Sequence, residues 1–195
     1  MPRIVLATHH PLEVDELTPL LATLGWEAVT PESVDAADVA YAQGGGNHRQ
    51  QAENRARAFS DRTGLPALAV ATALQVYALD QRPGLRTHDY AGPAATDAEH
   101  RAKLLAAIKR VPTGQRIALF QASVAFVQPG EEKARVTSST LECAIPPEER
   151  GDGGFLFDAL TQVQDRKTLA EMDDDERYRL GHRGMALKQM AKYLA

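Results

Sequence analysis

The stretch PALAVATALQV at residues 66–76 decides the fold class of this chain. It is a nearly continuous run of Val, Ala and Leu, and its only polar side chains are Thr72 and Gln75. A short apolar run that follows turn residues is typical of a buried strand. A catalytic strand usually carries an acid, a base or a nucleophile at its end, and the candidates in this run are Thr72 and Gln75.

The segments that precede this run predict an α/β sheet. Residues 3–8 (RIVLAT) predict a first strand, residues 11–25 a helix with an apolar stripe, and residues 26–30 a second strand. A flexible glycine turn over 41–47 leads into a helix over 49–62. Strand, helix and strand in this order favour an α/β fold.

The segments that follow the run continue the same pattern. A Thr-x-x-Glu capping box precedes a helix over 97–110, and two β-prone segments at 115–128 and 134–145 predict an antiparallel ribbon. An amphipathic pattern predicts one last helix over 173–195. We interpret residues 1–195 as a single α/β domain.

Composition restricts the class of protein. The 195 residues carry 26 acidic and 22 basic side chains, a net charge of −4, which argues against a general nucleic-acid binder. The one cysteine, Cys143, can form neither an internal disulfide nor a cysteine-based zinc site, so we expect a reducing compartment. No apolar run is long enough to span a membrane, which favours a cytoplasmic protein with no membrane partner.

Histidines follow several predicted elements. His9 and His10 come directly after the first strand, where α/β proteins bind ligands, and they are either phosphate or metal contacts or surface residues that cap the next helix. Their spacing alone favours capping. A metal site that combines them with more distant residues matches no recognised motif, and solvated side chains are the simpler interpretation. Those residues are His48, His88, Asp89 and His100.

Two glycine-containing stretches have the composition of a ligand site. Residues 151–158 (GDGGFLFD) bring glycines next to aromatics and an acid, which suits base stacking and a packed core equally well. Residues 181–184 (GHRG) interrupt a helical pattern with two glycines. Adjacent His and Arg there can donate hydrogen bonds to base carbonyls or phosphates, and the glycines favour that function over a kinked helix.

Four motifs in order along the chain resemble one enzyme family. Residues 153–158 (GGFLFD) are similar to Gly-Gly-Phe-Gly-Tyr-Asp-Pro, 167–172 (KTLAEM) to Lys-Thr-x-Ala-Glu-Leu, and 182–187 (HRGMAL) to Ser-His-Arg-Gly-x-Ala-Leu. The segment 83–92 resembles the Pro-Gly…Arg-Tyr-x-Gly loop. The chain thus resembles, over nearly its whole length, the inosine triphosphate pyrophosphatases, which hydrolyse non-canonical purine nucleoside triphosphates.

The resemblance implies a fold and a binding site. The fold would be an elongated, two-lobed α/β structure with a central mixed sheet flanked by helices, a nucleotide cleft between the lobes, and a homodimer. Phe155 would lie in the purine pocket, Asp158 with His182 and Arg183 would read the base and its 6-keto oxygen, and Lys167 would approach the phosphates.

The resemblance breaks down at positions that handle phosphate and magnesium. The family turn Thr-Gly-Asn-x-x-Lys keeps Thr8, which would contact the nucleotide, but Glu13 replaces the lysine. Gln50 stands where the family has a magnesium-binding Glu, and Val70 and Ala71 stand where it has two aspartates. Hydrolysis of a triphosphate needs magnesium and a positioned water. We therefore expect a purine-nucleotide-binding protein that has lost the usual chemistry, with magnesium a cofactor only if that chemistry survives.

Two alternatives retain catalysis. One is ordinary triphosphate pyrophosphohydrolase activity with unusual residues. The other is a hydrolase with a rebuilt centre, because several acids, bases and metal-binding side chains fall on segments that would border the old phosphate site. They are His9, His10, Glu13, His48, His88 and Asp89.

Overall fold

A computed structural model describes residues 1–40, 46–163 and 166–195, so most of the glycine turn predicted over 41–47 lies outside the described residues. The strands are β1 (Arg3–Leu6), β2 (Glu27–Val29), β3 (Ala67–Val76), β4 (Arg82–Gly84), β5 (Ile117–Val127) and β6 (Arg135–Ala144). The helices are α1 (Pro11–Thr23), α2 (His48–Thr63), α3 (Asp97–Ala107), α4 (Asp174–Leu180) and α5 (His182–Leu194).

The sheet is mixed. Its strand order is β2-β1-β3-β5-β6, and β4 pairs with β3. Strand β1 runs parallel to both β2 and β3, with Val5 opposite Ala67, whereas β4 runs antiparallel to β3. The predicted α/β class with a central mixed sheet flanked by helices is confirmed. Strands β5 and β6 are neighbours, as the predicted ribbon requires.

Local signals explain where the first helices begin and end. Pro11 occupies the first turn of α1, where its missing N–H costs nothing. The Asn47 side chain accepts the Gln50 N–H at the start of α2, and Gly64 ends that helix at a φ of 67°. The predicted capping box before α3 is present.

The prediction of a single helix over 173–195 is wrong, because the chain forms two helices, α4 and α5, with a break between them. Gly181 has an extended backbone, φ −76° and ψ 153°. A Cβ atom at Gly184 would lie 1.8 Å from the backbone oxygen of Tyr178, so α5 begins with its backbone against the end of α4. This close approach, not helical periodicity, sets the boundary.

The chain divides into two compact units, each with its own apolar core. The core of unit 1 includes Val5 and Phe59, and the core of unit 2 includes Leu104 and Phe157. The single domain, the elongated form and the cleft expected from the sequence remain predictions. Unit 1 comprises Met1–Ala71, Ala122–Ser139 and Met185–Ala195, and unit 2 comprises Thr72–Gln121 and Thr140–Gly184.

Candidate nucleotide site

A buried ion pair lies at the centre of the site in unit 2. Asp158 is 0% exposed and Arg183 is 3% exposed. The guanidinium donates to both carboxylate oxygens, with 2.6 Å from Nη2 to Oδ2 and 3.4 Å from Nη1 to Oδ1. Burying either charge alone would be costly, so each group depends on the other. The structure brings together these two residues, which the sequence placed in one base-reading group.

Aromatic rings flank this pair. The Arg183 guanidinium lies over the Phe155 ring, 4.1 Å from its centroid. The His182 imidazole stacks on Phe120, with 3.7 Å between centroids and 18° between planes. Phe120 was not among the predicted site residues, because nothing in the sequence distinguishes it from the other apolar residues of β5. The cluster therefore packs aromatic rings against hydrogen-bond donors in the interior of unit 2.

His182 is neutral in this environment. Its side chain is fully buried, and burial holds its pKa well below the usual 6.5. The positive charges of Arg183 and of a protonated His88 act in the same direction. A neutral imidazole has one N–H donor and one nitrogen acceptor, so it can recognise a polar edge of a ligand without adding charge.

The loop that precedes Asp158 is shaped around its carboxylate. The Phe155 N–H donates to Asp158 Oδ2 at 3.1 Å. Gly154 has a φ of 67°, and a Cβ atom there would lie 2.3 Å from the same oxygen. Only glycine satisfies both the left-handed backbone and this approach. Gly154 thus makes room for the carboxylate, whereas Gly151 and Gly153 lie against the backbone of Ala170. Both phenylalanines of the stretch are buried.

Lys167 lies at the surface and is not part of the buried cluster. Its Nζ atom is 3.4 Å from Glu176 Oε2, in an exposed ion pair. The following turn is fixed by a second capping box, in which Thr168 and Glu171 bond reciprocally. The Thr-x-x-Glu spacing at these positions is a sequence signal for that box. The predicted phosphate contact of Lys167 stays a prediction.

In unit 1, Thr8 and Glu13 bind each other. The Thr8 hydroxyl donates to the Glu13 carboxylate, and both side chains are buried. The His10 N–H donates to the Thr8 hydroxyl oxygen at 3.1 Å, which closes the turn between β1 and α1. The turn expected to contact phosphate therefore holds an internal carboxylate, and like charges repel a phosphate.

Gln50, Val70 and Ala71 stand at the positions where the resemblance implies acids. Val70 and Ala71 are buried in β3, and Arg55 donates to the Val70 backbone oxygen at 3.2 Å. Gln50 lies at the exposed start of α2, and its amide donates to Asn54 Oδ1 at 2.9 Å. Val70 and Ala71 thus pack as residues of a buried strand do, and Gln50 bonds as a residue on a helix surface does.

The family of the chain follows from the extent of its similarity to known proteins. The model of the Ham1 family matches residues 4–193. The chain belongs to the Ham1 family. This confirms the resemblance that the four sequence motifs indicated.

Named relatives of this Ham1 family protein are nucleotide pyrophosphatases. It is 34% identical to the dITP/XTP pyrophosphatase of Lactobacillus acidophilus, over 98% of this chain and 96% of that protein. It is 36% identical to the dITP/XTP pyrophosphatase of Thermus thermophilus, over 96% of this chain and 89% of that one. A solved HAM1 protein from Coxiella burnetii has a TM-score of 0.84 and 32% identity, covering 100% of this chain and 98% of that chain.

The magnesium that the family resemblance implies does not fit the residues of this Ham1 protein at the expected positions. Valine and alanine have no donor atom, and an amide oxygen such as that of Gln50 brings no negative charge to a hard cation. Within residues 1–40, 46–163 and 166–195, no group of three or more His, Cys, Asp or Glu side chains is placed to hold a metal ion. We therefore derive no catalytic step through magnesium.

Three histidines of the hypothetical rebuilt centre, His9, His10 and His48, lie in unit 1. His9 Nδ1 lies 2.8 Å from Glu32 Oε1. His10 stands at the N-cap of α1, but its side chain makes no capping hydrogen bond, so the predicted capping role of this side chain is wrong. Burial, with a smaller effect of Arg49, lowers the pKa of His48 at the first position of α2.

His88 and Asp89 of the hypothetical rebuilt centre, and His100 of the possible metal site, lie in unit 2. His88 Nε2 is 3.0 Å from the hydroxyl of Thr72 in β3. Asp89 forms an ion pair with Arg86 at 3.0 Å and lines a cavity of about 360 Å³. His100 Nδ1 accepts the Ala91 N–H at 3.0 Å. A catalytic role for these residues stays a hypothesis that no contact described here favours.

Proposed function

We propose that this Ham1 family protein binds purine nucleotides with a 6-keto base and does not hydrolyse them by the magnesium-dependent route. The observation that carries the proposal is an intact buried cluster of Phe155, Asp158, His182 and Arg183 in a chain with apolar side chains at the positions of two family acids. The names of its relatives, dITP/XTP pyrophosphatases, point to the same base class, since both of these bases carry a 6-keto oxygen.

The donors in the cluster suit a keto purine better than adenine. The guanidinium of Arg183 and the N–H of His182 are hydrogen-bond donors, and a 6-keto oxygen is an acceptor. The 6-amino group of adenine is a donor, so its binding would leave buried donors facing each other. A mismatch of this kind costs about 1–3 kcal/mol for each group left unpaired.

The chemistry of triphosphate hydrolysis supports the second half of the proposal. Phosphoryl transfer depends on cations that neutralise the phosphate oxygens and on a group that positions the attacking water. Val70 and Ala71 supply neither, and the buried Glu13 adds a negative group near the end of β1. Loss of several such groups lowers a rate by orders of magnitude, although their effects do not simply add.

A nucleotide panel tests both halves at once. Isothermal titration with inosine, xanthosine, guanosine and adenosine mono- and triphosphates is expected to give at least about tenfold tighter binding for a keto purine than for adenosine. Pyrophosphate release with Mg²⁺ or Mn²⁺ is expected to stay at background, with the Thermus thermophilus relative assayed in parallel. Release at the rate of that relative contradicts the loss of catalysis, and failure to bind any of the nucleotides contradicts the retained pocket.

One pair of variants separates base stacking from general loss of packing. Phe155→Leu keeps an apolar side chain but removes the ring, so we expect about a tenfold weaker affinity for the keto purine. Phe126→Leu makes the same change in unit 1, where the ring packs edge-on against Trp26 at 5.8 Å. The control should lose comparable thermal stability and keep its affinity. Equal losses of affinity would assign the effect to packing.

The proposal includes two properties of the whole protein. We propose a homodimer, as the resemblance implies, and a reducing compartment such as the cytoplasm, in which the buried Cys143 stays a thiol. Among the described residues, the structure has no helix both long and apolar enough to cross a bilayer. Light scattering on the purified protein tests the dimer, and a monomer at all concentrations would contradict it.

A further inference from the structure

Leu156 adopts a backbone conformation that favours glycine. Its φ is 56°, in the left-handed region that non-glycine residues seldom occupy. The family motif that this loop resembles has glycine at the same place. The Leu156 side chain is buried and belongs to the apolar core of unit 2. The chain thus combines a core side chain with an unfavourable backbone, and some other contact has to hold that backbone in place.

Helix α3 supplies that contact through two charged side chains. The Leu156 N–H donates to Asp97 Oδ2 at 2.7 Å, and Arg101 Nη1 donates to the Leu156 backbone oxygen at 2.9 Å. Residues four apart share one face of a helix, so both side chains can reach the same loop. Arg101 is itself held by Glu149, with 2.7 Å between Nε and Oε2. The two charged side chains hold both polar groups of the Leu156 backbone.

The neighbours of Leu156 are the residues of the proposed base site. Phe155 precedes it, and the Phe155 N–H and the carboxylate of Asp158 are joined by a hydrogen bond of 3.1 Å. A rotation of the Leu156 backbone toward its usual conformations would redirect the ring and break that hydrogen bond. The orientation of the aromatic face and of the carboxylate therefore depends on Leu156.

We infer that Asp97 and Arg101 are positioning residues, which hold Leu156 in its left-handed conformation and so orient Phe155 and Asp158 for base recognition. The inference rests on the proposed function, because it assigns to α3 a role in the specificity of the same site. Neither residue touches the base in this scheme. Their effect passes through the backbone of one strained residue.

Binding of inosine triphosphate, titrated in EDTA, tests the role in recognition. Asp97→Ala and Arg101→Met are each expected to weaken binding about tenfold, the effect of losing one charge-assisted hydrogen bond. Because both side chains hold one residue, the double variant should bind about as weakly as either single variant. The conservative changes Asp97→Asn and Arg101→Lys keep an acceptor and a donor, and should recover most of the affinity.

Thr96→Ala is the matched control on the same helix. It removes the capping box of α3 and so destabilises the helix, but the Thr96 hydroxyl bonds to Glu99 on the same helix and not to the Leu156 loop. We expect its affinity to remain within about twofold of wild type, since capping affects stability rather than the loop. A loss of affinity as large as that of Asp97→Ala would overturn the inference, because any weakening of α3 would then suffice.

Amide hydrogen exchange at Leu156 in the ligand-free protein provides a readout that does not depend on nucleotide binding. The Leu156 amide should exchange slowly in wild type and in Thr96→Ala, and at least about tenfold faster in Asp97→Ala. Unchanged exchange overturns the inference, and so does faster exchange with unchanged affinity. If the wild-type protein binds no purine nucleotide, the proposed function fails. Faster exchange in Asp97→Ala would then still support the conclusion that Asp97 keeps Leu156 in its left-handed conformation. Unchanged exchange would contradict that conclusion.

Discussion

The imidazole of His182 is fully buried between a phenylalanine ring and a guanidinium, and its protonation follows from that position. A charged imidazole there would lose its hydration and face the charge of Arg183, so the neutral form is favoured. The proposed recognition of a keto purine depends on this neutrality at the level of one residue. The buried ion pair beside it provides the fixed charge. His182 Nε2 accepts from Arg183 Nη1 at 3.4 Å, so the N–H donor of the neutral ring is at Nδ1.

We predict that His182 makes the stability of the protein depend on pH. Its folded-state pKa lies below the usual 6.5, so its contribution is fully present above pH 6.5. Below that pH the unfolded chain binds a proton that the folded protein does not, and the free energy of unfolding falls by up to about 1.4 kcal/mol per pH unit. Urea unfolding between pH 5 and 8 should show a shallower dependence for His182→Gln.

The difference in pH dependence of the unfolding free energy between wild type and His182→Gln gives the contribution of His182. His48 and His100 have pKa values lowered in the same direction by burial and are unchanged in the variant, so part of the dependence remains. Equal slopes for wild type and His182→Gln would show that the imidazole is protonated in the folded protein. The neutral donor in the base site would then have to be abandoned.

Among the structural elements, two turns contain a glycine in the left-handed conformation, and only one of them lies at the proposed site. Gly64 ends α2 at a φ of 67°, and Gly154 begins the loop toward Asp158 with the same φ. They differ in their surroundings. A Cβ atom at Gly64 would meet nothing within 4 Å, whereas one at Gly154 would overlap the Asp158 carboxylate. The same backbone angle therefore ends a helix at Gly64 and makes room for a buried carboxylate at Gly154.

We predict that alanine at these two glycines will separate the effects. Gly64→Ala should cost about 1–2 kcal/mol of unfolding free energy, the price of a left-handed alanine. Gly154→Ala should cost about 1–3 kcal/mol more, because the carboxylate and its ion pair with Arg183 must also shift. Urea titration of both variants measures the difference. Equal losses would indicate that the loop relaxes freely around the carboxylate.

The sequence predicted those elements whose signals are local. The buried strand over 66–76, the Thr96 capping box and Gly64 at the end of α2 were all recognisable from neighbouring residues. The break between α4 and α5 was not predicted. The two glycines of residues 181–184 were a visible interruption, but the helical pattern continues beyond them, and the approach of Gly184 to the Tyr178 backbone is a contact in space. A helical pattern does not reveal such a contact.

At the scale of the whole molecule, the two kinds of site residue fall in different units. Unit 1 contains Glu13, Gln50, Val70 and Ala71, which we interpret from the sequence as departures from the family motifs. Unit 2 contains the buried cluster around Asp158, which is the proposed base site. Sequence motifs pointed to the residues of this cluster, but they did not reveal that Phe120 of β5 stacks on His182 or that Leu156 has a positive φ. Neither has a residue type that marks its role.

We predict that the thiol of Cys143 reports opening of unit 2. Burial, with a smaller effect of Glu142, raises the pKa of Cys143 to about 12, so almost no thiolate exists at pH 8. Iodoacetamide should therefore modify the native protein very slowly, and modification should accelerate across the urea transition. Mass spectrometry gives an unambiguous readout because Cys143 is the only cysteine. Rapid modification of the native protein would contradict the burial.

The only tryptophan of the chain, Trp26, lies in unit 1. Its indole N–H donates to the backbone oxygen of Leu194 at 2.7 Å, and its ring packs edge-on against Phe126. Intrinsic fluorescence is therefore an optical signal from unit 1, sensitive to detachment of α5, while the thiol is a chemical signal from unit 2. The unlabelled wild-type protein thus contains one spectroscopic probe and one reactive probe, and together they can time the melting of each unit separately.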